Sequence, residues 1–73
     1  MKYEIIKHIG VIFDKGNGWK KELNIVKWGD NDPKYDVRMW NDDHTKMGKG
    51  ATFTKEELKK LANIVWGGKF KDE

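Results

Sequence analysis

Basic and aromatic side chains recur along two alternating runs of this 73-residue chain. In the run from Trp19 to Trp28, residues Lys20, Asn24 and Trp28 share one parity. In the run from Lys34 to Trp40, residues Lys34, Arg38 and Trp40 do the same. Successive residues of a strand point to opposite sides of a sheet, so each set would line a single face. Lysine and arginine neutralise phosphates, and an indole stacks on an unpaired base whatever its identity. A duplex hides its base faces, so such a surface favours single strands. The alternative for any one of these indoles is a place in the core or in an interface, because a half-buried site suits tryptophan. Two tryptophans exposed together would make an apolar patch that calls for a partner.

Other chemistries find less support. Cysteine is absent, which removes disulfides, thiolate metal sites and thiol nucleophiles together. His8 and His44 are far apart in sequence and neither has the spacing of a metal ligand. Asp42-Asp43-His44 could suggest a metal site or an acid–base pair, but three adjacent loop residues rarely converge on one point. Met47-Gly48-Lys49-Gly50 carries two glycines without the strand–loop–helix context of a phosphate-binding loop. Those glycines are expected to let the chain turn into its last strand. No catalytic residue, cofactor, metal or small-molecule substrate is expected.

The elements that must position these residues follow from alternation and punctuation. Tyr3 to Phe13 reads as a long strand, with Tyr3, Ile5, Ile9, Val11 and Phe13 on one parity and Ile6 and Ile12 on the other. Asp14 to Gly18 is a turn, since glycine and asparagine accept positive φ. Trp19–Trp28 and Lys34–Trp40 are the second and third strands, separated by the turn Gly29 to Pro33. A short fourth strand is expected around Gly50 to Phe53. Thr54-Lys55-Glu56-Glu57 has the form of a capping box, and Leu58, Leu61, Ala62 and Val65 then follow at the spacing of one helical face. Gly67-Gly68 should end that helix. The fold class is α+β: a four-stranded curved antiparallel sheet followed by one C-terminal helix. Leu23, Ile25, Tyr35, Val37 and Met39 should face the helix, leaving the Trp28 and Trp40 side exposed.

Residues 1–73 have room for one domain only, and a chain this short buries a marginal core. With disulfides and metals set aside, self-association remains to stabilise it, and a homodimer is expected. Trp66 at the helix end suits that interface, and Trp19 a structural role. The net charge of +3 says little by itself. Its placement says more, because Asp30, Asp32, Asp42 and Asp43 crowd into turns while lysines lie in or beside strands. The longest apolar stretch, Ile9 to Phe13, falls far short of the roughly 20 residues of a membrane span, and a cytoplasmic location is expected.

Several segments, in order, resemble the positive cofactor 4 family of single-stranded DNA-binding proteins, particularly its small bacterial branch. They are Lys20-Lys21-Glu22-Leu23-Asn24, Trp28, Pro33 to Arg38 with Trp40, Lys46-Met47-Gly48-Lys49-Gly50 and Thr54 to Leu58. The similarity spans about residues 19 to 62. It implies a dimer formed largely through the helices, with the sheets making channels for unpaired DNA. Carried over by position, Trp28 and Trp40 would stack on bases. Lys20, Lys21, Lys34, Arg38, Lys46 and Lys49 would contact phosphate, with Asn24 on the same surface. The rival readings are a single-stranded RNA binder using the same surface, and a protein-interaction module whose docking patch is Trp28 and Trp40.

Overall fold

Four strands and a helix follow one another along residues 2–69, the part described by the computed structural model. They are β1 (Tyr3–Asp14), β2 (Lys20–Trp28), β3 (Lys34–Trp40), β4 (Met47–Phe53) and α1 (Lys55–Ile64), and a wider π-helical turn, Val65–Lys69, ends the series. All three strand pairs are antiparallel, and the sheet order is the chain order, β1-β2-β3-β4. The ββββα architecture read from the sequence is present, with β4 starting three residues earlier than expected.

The β1–β2 connection closes with the Lys15 amide donating to the Trp19 carbonyl at 2.9 Å, and Gly16 and Gly18 adopt φ near +91° and +90°. Only glycine enters that region without steric cost, so this turn depends on both. At the other end of the sheet, Thr54 caps α1. Its hydroxyl accepts from the Glu57 amide at 3.1 Å, and its own amide donates to the Glu57 carboxylate at 2.8 Å. The capping box is formed as the sequence predicts.

Strand β1 departs from the simple alternation read from its sequence. Its twelve residues run against the nine of β2, and the register slips at three places. Each slip leaves one residue without an opposite number: Ile6, Ile9 and Ile12, which are 48%, 43% and 57% exposed. A bulge shifts the parity of everything beyond it. The residues on the Trp28 side of the sheet are therefore Tyr3, Ile5, His8, Val11 and Asp14, opposite Trp28, Val26, Asn24, Glu22 and Lys20.

The parity sets expected for β2 and β3 hold, since Leu23 pairs with Val37, Ile25 with Tyr35, Asn24 with Asp36 and Glu22 with Arg38. Which side is open does not hold. Among the described residues, those that are buried, Glu22, Asn24, Val26, Asp36 and Trp40, all lie on the side expected to be exposed. Leu23, Ile25, Tyr35, Val37 and Met39 are only half-buried. The reason is the extent of cover on each side. Among the described strands helix α1 touches only β3 and β4, and none of its own residues is buried. The Trp28 side is covered instead by Tyr3 from β1 and by the loop joining β3 to β4.

Candidate nucleic-acid interface

Trp40 sits at the bottom of this face, fully buried. Its ring meets Tyr3 at 5.3 Å between centroids and the His44 imidazole at 5.5 Å, both tilted by nearly 50°. Tyr3 also meets Trp28, at 5.8 Å. These separations are those of favourable tilted aromatic pairs. The Tyr3 hydroxyl donates to the His44 carbonyl, tying strand β1 to the β3–β4 loop. The expectation of two exposed indoles is thereby corrected. Trp40 serves as floor, because the bulged first strand and the following loop close over it. Asn24, expected on the open surface, is likewise fully buried.

Trp28 stays half-buried at the end of β2, and the Arg38 guanidinium lies over its ring, 4.5 Å from the centroid. Arg38 is fixed there by Asp36, two residues earlier on the same face. Its Nε donates to Asp36 Oδ1 at 2.7 Å and its Nη2 to Asp36 Oδ2 at 2.8 Å. Asp36 is wholly buried and the Arg38 side chain is 15% exposed, so this two-pronged pair is largely shielded from solvent. The remaining terminal nitrogen leans on the Gly48 carbonyl at 3.4 Å.

Gly50 pairs with Arg38 across β3–β4. A Cβ there would collide with the Val37 carbonyl and the Arg38 side chain, and would stand 3.0 Å from Arg38 Nε. Gly50 is thus required for close approach rather than for the turn assigned to it from sequence.

A cleft of about 380 Å³ opens beside this stack, lined by Trp28, Asn31, Asp32, Lys34, Arg38 and Thr52. Lys34 is exposed, opposite Val26. Lys20 is half-buried on the same face, between Asp14 and Trp40. Lys46 is exposed in the β3–β4 loop, its amide held by Asn41 Oδ1 at 2.9 Å. The other two lysines lie apart from this group. Lys21 is exposed on the opposite face with Met39 and Phe13, and Lys49 is exposed beside the register shift of β4.

Sequence reasoning missed a polar network in this floor. His8 Nδ1 lies 2.7 Å from Asn24 Oδ1, Asn24 Nδ2 donates to Glu22 Oε1 at 3.1 Å, and His44 Nε2 lies 2.9 Å from the same oxygen. Burial pushes the Glu22 carboxyl up, but the bonds from Asn24 and His44 and the charge of both imidazoles outweigh it, leaving it below its ordinary value. His44 adopts φ near +59°, the left-handed conformation, to bring its ring inward. Asp43 turns away into the loop, where the Thr45 hydroxyl and amide hold its carboxyl below the usual range. Asp42-Asp43-His44 therefore does not converge on one point. No group able to hold a metal ion occurs among the described residues. Alternation on β2 places Glu22 beside Asn24, but the two histidines meet them only through the bulges and the loop.

Residues 15–64 match the family model described as Transcriptional Coactivator p15 (PC4). The chain belongs to this family. Membership points to single-stranded DNA binding in general and accords with a domain that is not an enzyme. A protein of Treponema pallidum (strain Nichols), described only as uncharacterized, is 40% identical over 63 residues, covering 86% of this chain and 74% of the relative. No described helix is long and apolar enough to cross a membrane.

Proposed function

We propose that this protein is a homodimeric, non-catalytic, cytoplasmic domain that binds single-stranded DNA with little sequence preference, in transcription, replication or repair. The observation that carries this reading is the cleft where an indole, a guanidinium and an ammonium meet. Its volume is within the roughly 300–1,000 Å³ of small-ligand sites. A base entering it stacks against the layer made by Arg38 and Trp28, a mode open to every base. Lys34, Lys20 and Lys46 supply charge for the flanking phosphates, while Lys21 and Lys49 add to the general field. Asn24 and Trp40 act from beneath, by holding the floor in shape.

Dimerisation is supported by the apolar surface left open along the C-terminal segment. Leu61 is 43% exposed, Ile64 50% and Trp66 84%. A patch of this kind marks an interaction surface. The docking-module reading loses support, because its patch needed both Trp28 and Trp40 at the surface and Trp40 is buried.

The test is a tryptophan-fluorescence titration with unphosphorylated oligo(dT), the matching duplex and oligo(U), at two salt concentrations. Single-strand quenching that weakens with salt is expected, with Trp28→Ala losing about 1–3 kcal/mol of binding. Equal quenching by the duplex, or no response from folded protein, refutes the reading. Preference for oligo(U) would make RNA the ligand.

A further inference from the structure

The same face of the sheet, on its β1–β2 side, carries a carboxylate flanked by two imidazoles, an arrangement that phosphate binding by lysines alone does not require. Glu22 accepts from Asn24 and lies 2.9 Å from His44 Nε2 and 3.5 Å from His8 Nδ1. Asn24 donates to Glu22 through its nitrogen, so its oxygen must accept from His8, and the bonded nitrogen of His8 carries the proton. On His44 the bonded nitrogen faces a carboxylate and is the donor as well. The second nitrogen of each ring, His8 Nε2 and His44 Nδ1, makes no hydrogen bond among the described residues. The side chains are 51% and 35% exposed. Each ring can therefore take a second proton at a nitrogen free of internal partners, with every existing bond kept.

We infer that His8 and His44 are proton-dependent members of the single-strand surface, strengthening phosphate binding when both are charged. The inference rests on the single-strand reading above. Its force comes from the charge balance of the face. Arg38 is neutralised by Asp36, and Lys20 stands opposite Asp14. With both imidazoles neutral, Glu22 leaves this network one net negative charge beneath a polyanion's path. With both protonated, the network carries one net positive charge. The other charged groups on this side and its loop are Lys34, which pairs with Val26 on β2, and Asp42, Asp43 and Lys46 in the loop that carries His44. Imidazole is the side chain whose charge ordinarily changes between pH 5 and 8, whereas lysine stays charged throughout. The same protonation strengthens the contact between His44 and Glu22 that holds the loop bearing Lys46.

The experiment measures the dissociation constant of the full chain for unphosphorylated oligo(dT) at pH 8 and pH 6, at constant ionic strength. Thymine and the phosphodiester do not titrate in this interval. Wild-type binding is expected to tighten about fivefold for each imidazole that gains charge near a phosphate. The dependence of log K on log salt should steepen by about 0.7 per added contact. His44→Gln and His8→Gln should each lose part of the pH response, and the double variant all of it, while still binding at pH 8. Glutamine retains an N–H donor for the network, and circular dichroism at both pH values checks that each variant is folded. A flat wild-type profile overturns the inference and leaves the single-strand reading intact, as does a pH response that survives in the folded double variant. No binding of oligo(dT) at either pH removes the single-stranded DNA reading, and this inference with it.

Discussion

Removing the Arg38 side chain tests whether its pairing with Asp36 is structural as well as functional. Asp36 is fully buried and takes two hydrogen bonds from a guanidinium that is itself only 15% exposed. In Arg38→Ala the carboxylate would keep its charge, its burial and no cation. Breaking a buried pair from one side costs about 3–5 kcal/mol, against at most about 1 kcal/mol for a solvent-exposed pair. At roughly 0.05–0.15 kcal/mol per residue, a 73-residue domain has about 4–11 kcal/mol in all. The substitution should therefore remove a large share of the stability. The assay is urea denaturation followed by circular dichroism, with Asp36→Val/Arg38→Met as control. Replacing both partners by apolar groups is often neutral, so the double variant should recover much of the loss while still binding oligo(dT) weakly. A loss below about 1 kcal/mol in Arg38→Ala would show that solvent screens the pair. A double variant no more stable than the single one would show that packing, rather than the unpaired charge, sets the cost.

Gly50→Ala should cost about 1–3 kcal/mol by overpacking against Val37 and Arg38, lowering the melting temperature by at least about 4 °C. An unchanged melting curve would refute the close approach of Arg38 to β4. The Glu22 carboxyl is held below its ordinary value, so its contribution to stability is complete above the unfolded-state pKa. That contribution is lost as pH falls through the lower folded-state value, and Glu22→Gln should flatten the stability curve in this acidic window. Identical acid-unfolding curves for wild type and variant would contradict the network. Sedimentation should find a wild-type dimer and a monomeric Leu61→Glu/Ile64→Glu variant, because these side chains are open along one helix. A wild-type monomer at tens of micromolar, about the concentration at which weak dimers form, would assign that surface to another partner.

Local chemistry determined much of this protein before any fold was known. The alternation of Lys20 to Trp28 and of Lys34 to Trp40 places each residue on its face, because a strand has a period of two whatever surrounds it. The Thr54–Glu57 box starts the helix, because a cap needs only residues three apart in sequence. Asp36 and Arg38, two apart on one strand, were bound to share a side, and the family resemblance rested on the same short segments.

The exposure of those faces was a different matter. Alternation distinguishes two sides of a sheet without telling which is covered, and here the polar side is the deeper one. Cover comes from residues distant in sequence: Tyr3 reaching His44 and Trp40, and His44 reaching Glu22. The period-three recurrence of Ile6, Ile9 and Ile12 was visible in the chain, but it became a bulge pattern only when β1 had a shorter partner to run against. Burial and long-range hydrogen bonding depend on that pairing, so tertiary structure alone decided that Trp40 would be floor and Trp28 the edge of a cleft.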